Sequence, residues 1–189
     1  IVRSIVLLLV IVLCNLIKPG NLFASDPTSV WSSTTSLPYL LASHVSFSSA
    51  NKVFVIGGSA VTGQSKFDVL SNNINPNGTL SNWSDLSDPT PTALIFHAIA
   101  VKGDYVYILG GREENAGSAL AHVNKVFRGT LDIQGDIKSW TQLNSLPEAL
   151  SIGAATVVGD KLYFAGGFNS FGENADTYVA TISLDGTIG

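Results

Sequence analysis

Arg112 follows two glycines directly and leads into Glu113 and Glu114, with His122 on the same polar segment. A guanidinium in that position can clamp a carboxylate through two parallel hydrogen bonds or hold a sugar hydroxyl. Its plainer role is a solvated arginine, or a local ion pair with Glu113 or Glu114. The two glutamates are adjacent, so nothing requires them to converge on one substrate as a glycosidase pair must. His122 reads most simply as a loop histidine. A second polar segment, "FNSFGENAD" at 168–176, carries Asn169, Glu173 and Asp176. Amides and carboxylates together are the groups that read hydroxyls. Arg112, Glu113, Glu114, Asn169, Glu173 and Asp176 are the candidate ligand-binding residues, and no catalytic residue is assigned.

Other chemistry is excluded or weakened. Cys14 is the single cysteine, so the chain beyond it has no disulfide, thiolate metal site or cysteine nucleophile. A net charge of −4 argues against a nucleic-acid partner, which requires a basic surface. His44 and His97 stand 13 and 14 residues after Trp31 and Trp83, and Gly153 takes the equivalent place after Trp140. That recurrence predicts a structural hydrogen bond at the start of a strand. No carboxylate recurs beside the histidines to complete a metal site. A diglycine can cradle phosphate, but no helix pattern or P-loop lysine follows here, so no metal or other cofactor is expected.

The elements that must position these groups repeat. Gly57-Gly58, Gly110-Gly111 and Gly166-Gly167 are separated by 53 and 56 residues, and Trp31, Trp83 and Trp140 precede them by 26, 27 and 26. Each diglycine ends an apolar run: "KVFVIGG", "YVYILGG" and "KLYFAGG". A proline follows each Trp, and a glycine turn follows each diglycine: "NGT", "QGD" and "DGT". Within the second unit, β-branched and aromatic residues predict strands at about 96–101, 105–109, 123–129 and 137–141. "YVYIL" lacks polar alternation, so both faces of that strand should be buried. Two glycines in a row fit a sharp turn where neighbouring backbone comes close. The tryptophans are expected to be packing anchors on the fourth strands.

With these markers in constant order, the chain over about 30–189 resembles the kelch-repeat β-propellers, whose units have this period. The resemblance implies an all-β fold of four-stranded antiparallel blades. About three lie in this chain, at roughly 31–83, 84–140 and 141–189, so the sequence is expected to be part of a longer propeller. In such blades the tight turns share one face. The longer segments at 59–66, 112–124 and 168–176 share the other, with the proline-rich crossovers beside them. Binding residues concentrate on loops held by a rigid scaffold. The expected function is a non-catalytic binding module holding a protein or glycan on the long-loop face. Kelch-like propellers also occur in galactose oxidase-type copper enzymes and in sialic acid mutarotases. The former, as the resemblance implies, need a Tyr–Cys cofactor that this segment has no cysteine to form. The latter remain an alternative, as does a purely structural repeat domain.

Residues 1–24 differ from the rest: Arg3, an apolar block and a small residue at Ala24 read as a secretory signal or an uncleaved anchor. The expected location is secreted or cell-envelope, with membrane contact only through that segment. "NGT" at 77–79 and "NWS" at 82–84 match the glycosylation pattern but are more simply turn chemistry.

Overall fold

The computed structural model describes residues 30–60, 65–86, 89–113 and 120–189. The leader read at 1–24, and Glu114, lie outside the described residues. The chain divides into two units, Ile1–Thr34 and Thr35–Gly189. In the first, residues 30–34 form no strand, and Trp31 is 87% exposed. The expected fourth-strand place of Trp31 is thus not seen among the described residues.

The second unit is a succession of similar sheets. In the first blade, β1 (Leu41–Ala42) leads into β2 (Val45–Ser49) and β3 (Lys52–Ile56), followed by β4 (Ser59–Ala60), β5 (Val69–Asn73) and β6 (Ser84–Asp85). The second has β7 (Leu94–Ile95), β8 (Ala98–Lys102), β9 (Tyr105–Leu109), β10 (Arg112–Glu113), β11 (Ala121–His122), β12 (Val126–Leu131) and β13 (Ile137–Gln142). The third has β14 (Ala154–Val158), β15 (Lys161–Ala165), β16 (Phe168–Asn169), β17 (Gly172–Glu173) and β18 (Thr177–Thr181). The main sheets are ordered β2-β3-β5-β6, β8-β9-β12-β13 and β14-β15-β18, antiparallel throughout. No helix occurs among the described residues. First strands neighbour one another, β2 beside β8 and β8 beside β14. This is the radial arrangement of a β-propeller, the fold class expected from the repeat.

Packing follows from the strand sequences. Val106, Tyr107, Ile108 and Leu109 of β9 are all buried, as their unbroken apolar run requires. Val106 packs with Phe54, Ile56 and Val69 of the first blade. Tyr107 and Leu109 pack with Leu162 and Phe164 of the third. One strand thus serves two seams, because its alternate side chains point to opposite faces. Trp140 sits on β13 directly opposite Gly129, whose missing β-carbon leaves room for the indole. Trp83 lies just before β6 and donates its Nε1–H to the Thr35 carbonyl at 3.2 Å.

The diglycines connect blade to blade. Gly58 N–H donates to the Leu94 carbonyl at 2.9 Å, and Gly111 N–H to the Leu150 carbonyl at 2.8 Å. A β-carbon on Gly110 would overlap the Leu150 carbonyl oxygen. A second series runs beside the first. Ser43, Phe96 and Ile152 take φ values of 58°, 56° and 60°, although none is glycine. Phe96 N–H donates to the Ser43 carbonyl at 3.1 Å, and Ile152 N–H to the Phe96 carbonyl at 2.8 Å. A recurring bond at the start of the first strands therefore exists, but backbone makes it. The His44 and His97 side chains are not what makes this recurring bond; the buried His97 ring instead lies beside Gly57 and the Ile56 backbone. In the third blade Gly153 leaves the space that the Phe164 ring fills.

The tight-turn face is closed by polar contacts between blades. Lys52 Nζ lies 2.6 Å from Asp136 Oδ1. Tyr107 donates its buried hydroxyl to the Gly186 carbonyl at 3.0 Å, and burial pushes its pKa up to about 12. Arg128 donates to the Asp185 carbonyl at 2.6 Å. In the "NGT" turn, Asn77 Oδ1 accepts from the Thr79 backbone at 3.1 Å and from its hydroxyl at 2.7 Å, so this side chain has a turn-forming role.

Two measurements test this account. Gly110 and Gly103 both have positive φ, but only Gly110 faces neighbouring backbone, while nothing lies within 4 Å of a β-carbon at Gly103. Gly103→Ala should cost about 1 kcal/mol, the left-handed penalty alone, and Gly110→Ala about 3 kcal/mol or more. Urea melts giving equal losses would contradict the close approach. His97 resists protonation until about pH 4, against an ordinary 6.5, chiefly through burial and then through His44, with partial compensation from the Ile56 backbone. The unfolded state therefore binds more protons between those values. Stability is complete above about pH 6.5 and falls by about 3 kcal/mol on going down through pH 4. Melts from pH 7.5 to 4 should show this loss, and His97→Asn should remove most of the difference. An unchanged acid slope in the variant would assign the loss elsewhere.

Candidate functional site

Beyond each diglycine the chain forms a small accessory sheet on the long-loop side. In the second blade β10 lies between β11 and β7, with Arg112 opposite both His122 and Ile95, and Glu113 opposite Ala121 and Leu94. Strand alternation sends Arg112 and Glu113 to opposite faces of this sheet. The adjacency noted in the sequence is therefore also a separation.

On one face, Arg112 Nη2 donates to the Leu120 carbonyl at 2.8 Å, while its buried Nε has no partner. His122 Nδ1 and the Ser151 hydroxyl share a hydrogen bond of 3.0 Å. Ser151 comes from the next blade, where its backbone pairs with Phe168 in both directions, at 2.9 and 2.7 Å. The His122 ring lies 6.1 Å from the Phe168 ring. Burial first, and then the Arg112 charge, lowers the His122 pKa, with partial compensation from the Phe168 backbone. The imidazole is neutral at neutral pH, able to accept or donate. Ser151 is only 1% exposed, so its hydroxyl positions His122 and is not presented as a nucleophile.

On the other face Glu113 is tied into its own blade. Its Oε2 lies 2.5 Å from Lys125 Nζ, and its Oε1 accepts from the buried Thr92 hydroxyl. Burial alone would raise its pKa, but the bonds from Lys125 and Thr92 and the Lys125 charge outweigh burial and hold it below the usual carboxylate range. Glu113 therefore fastens the crossover that carries Thr92.

The third blade joins Asn169 and Asp176 through residues the sequence reading did not select. Asn169 and Asn174 donate to Glu148 Oε2 at 3.3 and 3.2 Å. Asp176 Oδ2 accepts from Asn174 and from the Tyr178 hydroxyl, each at 3.3 Å. Partial burial, then the Glu148 and Asp176 carboxylates, push the Tyr178 pKa up to about 12. Asn169 Oδ1 accepts from the Phe171 backbone at 2.8 Å, and Asn174 Oδ1 from the Asp176 backbone at 2.7 Å. Glu173 is exposed on β17 opposite Phe168, outside this network. Ser151, Thr92 and Glu148 come from the segments leading into first strands, and Lys125 from the segment before β12 of the same blade as Glu113. Aligning the repeats was the one sequence signal able to place them.

Neither a protein-family model nor a curated protein sequence matches this chain. In three dimensions it is similar to a solved structure titled "Structure of YjhT", with a TM-score of 0.68 and 18% identity, over 84% of this chain and 48% of that one. The chain thus spans about half the length of that neighbour. At this identity the likeness concerns the fold, and with the radial antiparallel sheets it places the chain among the β-propellers.

Proposed function

We propose that this chain is a kelch-type, extracytoplasmic binding module that holds a glycan on its long-loop face without transforming it. The kelch assignment is supported by the spacing of diglycines and tryptophans. The location is supported by the signal-like leader. One observation carries the binding role: Arg112 and His122 are cross-strand partners, and Ser151 from the following blade fixes the imidazole. A neutral imidazole and a guanidinium are donors and acceptors suited to sugar hydroxyls. The opposite face is occupied by tight turns bonded to their neighbours. A protein surface is the other occupant that the sequence allows.

The experiment is binding to a printed array of oligosaccharides, with Arg112→Gln as the variant. Wild type should retain a subset of glycans, and the variant should bind them at least about tenfold more weakly, a difference of about 1.4 kcal/mol. The same melting temperature would show that the fold is kept. Absence of any glycan bound by wild type, with capture of a protein partner instead, would refute the glycan reading. Undiminished binding by Arg112→Gln would remove that residue from the site.

The neutral His122 beside Arg112 favours a second reading, a mutarotase-like enzyme. Interconverting sugar anomers needs a base to take the anomeric hydroxyl proton and an acid to protonate the ring oxygen, and a neutral imidazole can serve in either step in turn. NMR exchange spectroscopy of sialic acid anomers decides between the readings. Acceleration by wild type that is lost in His122→Gln would establish the enzyme, and the spontaneous rate in both supports the binder.

A further inference from the structure

Three polar groups meet at the seam between the second and third blades, and the placing of two protons among them decides what the site can offer. His122 Nδ1 lies 3.0 Å from the Ser151 hydroxyl oxygen, and that oxygen lies 3.5 Å from the Phe168 carbonyl. The same carbonyl accepts the Ser151 N–H at 2.9 Å, and Phe168 N–H donates to the Ser151 carbonyl at 2.7 Å, so backbone fixes serine and carbonyl relative to each other. A carbonyl oxygen has no proton to give, and a serine hydroxyl has one. If Ser151 gives its proton to Nδ1, the three groups are joined by one hydrogen bond. If Ser151 gives it to the Phe168 carbonyl, its oxygen accepts Nδ1–H and the three are joined by two, in one chain. The second arrangement puts the imidazole proton on Nδ1, the usual result of a carbonyl beside that nitrogen, and leaves Nε2 bare. The carbonyl also works, as an acceptor must, against burial and the Arg112 charge, which lower the His122 pKa.

The fold itself does not ask for this hydroxyl. Ser151 pairs with the residue after a diglycine, Phe168, and the same place in the other blades is taken by Ile95, opposite Arg112, and Ala42, opposite Ser59. A buried hydroxyl where two sister blades carry apolar side chains belongs to the site and not to the repeat. We infer that Ser151 and the Phe168 carbonyl hold His122 as the Nδ1–H tautomer, which makes Nε2 the acceptor of the site and its ligand a sugar bearing a free hydroxyl for that atom. The inference deepens the glycan reading above and rests on it for the ligand. Arg112, the cross-strand partner of His122, brings only donors. One sugar hydroxyl satisfies both residues, its proton going to Nε2 and its oxygen accepting from the guanidinium. An O-methyl group at that place has no proton to give, and a protonated amine meets the guanidinium with like charge. Ser151 is 1% exposed and acts through the imidazole, so it is a positioning residue.

The test reads the tautomer without a ligand and then the binding. In the full chain labelled with nitrogen-15 histidine, long-range proton–nitrogen correlation at neutral pH separates a protonated ring nitrogen from a bare one, and His122→Gln identifies the His122 signals by their loss. Wild type should show Nδ1 protonated and Nε2 bare. Ser151→Ala, which copies the residue at this place in the first blade, should mix the two tautomers. On the oligosaccharide array the same variant should bind about threefold more weakly or worse, because only the Nδ1–H fraction is competent. A merely structural serine would change the melting temperature and leave the ring nitrogens as in wild type. Nε2 protonated in wild type, or an unchanged tautomer in Ser151→Ala, would overturn the inference. A changed tautomer with undiminished binding would remove Nε2 from the ligand contact and overturn the acceptor role. Nδ1–H in a wild type that retains no oligosaccharide would refute the glycan reading and leave the tautomer standing.

Discussion

A carbonyl oxygen of one blade occupies the space where the preceding blade would otherwise need a β-carbon. Leu150 stands in this relation to Gly110, and Leu94 to Gly57. The rest of the structure depends on that approach. It lets Gly58 and Gly111 donate across the seam. It also sets how closely neighbouring sheets lie and which side chains can fill the gap. Tyr107 and Leu109 fit against Leu162 and Phe164 because the backbones at the inner edge have already been brought together. A four-stranded sheet with two apolar faces cannot shield both by itself, so the fold is decided at these seams.

The same constraint organises the polar chemistry. At the tight-turn side the seam is closed by Lys52 with Asp136, Tyr107 with Gly186 and Arg128 with Asp185. At the other side the chain leaves the diglycine into longer excursions, and each begins by pairing with residues ahead of its own first strand: Ser59 with Ala42, Arg112 with Ile95, Phe168 with Ser151. These accessory pairs carry the positional precision of the inner strands out to the loops. That is how His122 of one blade meets Ser151 of the next at hydrogen-bond distance.

What was legible in the sequence followed period and residue type. Strands β9 and β13 fall within a residue of where the apolar runs placed them, because "YVYIL" and "IKSW" are bounded by turns. β8 and β12 begin later than expected, at Ala98 and Val126, because the residues before them are engaged elsewhere. Phe96 adopts the left-handed conformation, and the Asn124 and Lys125 carbonyls bond to Leu146 and Gly110. Nothing in the composition of "IFH" or "SIG" announces a left-handed residue at Phe96 or Ile152. The requirement comes from the neighbouring blade, which a single stretch of sequence does not contain. The histidines recur for a related reason. Their recurrence was real, but it marked a space beside the diglycine, which Phe164 fills where Gly153 provides no side chain.

The candidate site was legible in part, and its limits have a physical origin. Arg112 could be placed at the loop face because it follows a marker, and a residue after a strand-ending diglycine must emerge there. Glu113 was selected by the same reasoning, yet strand alternation sends it the other way, to Lys125 and Thr92. Asn169 and Asp176 have the chemistry of ligand-reading groups, but they also have the chemistry of turn-forming ones, and the backbone amides of Phe171 and Asp176 engage it first. A polar side chain beside an unpaired amide in a loop will satisfy that amide before any ligand arrives, since leaving it unbonded costs free energy whether or not a ligand is present. Loop polarity therefore overstates the number of binding residues.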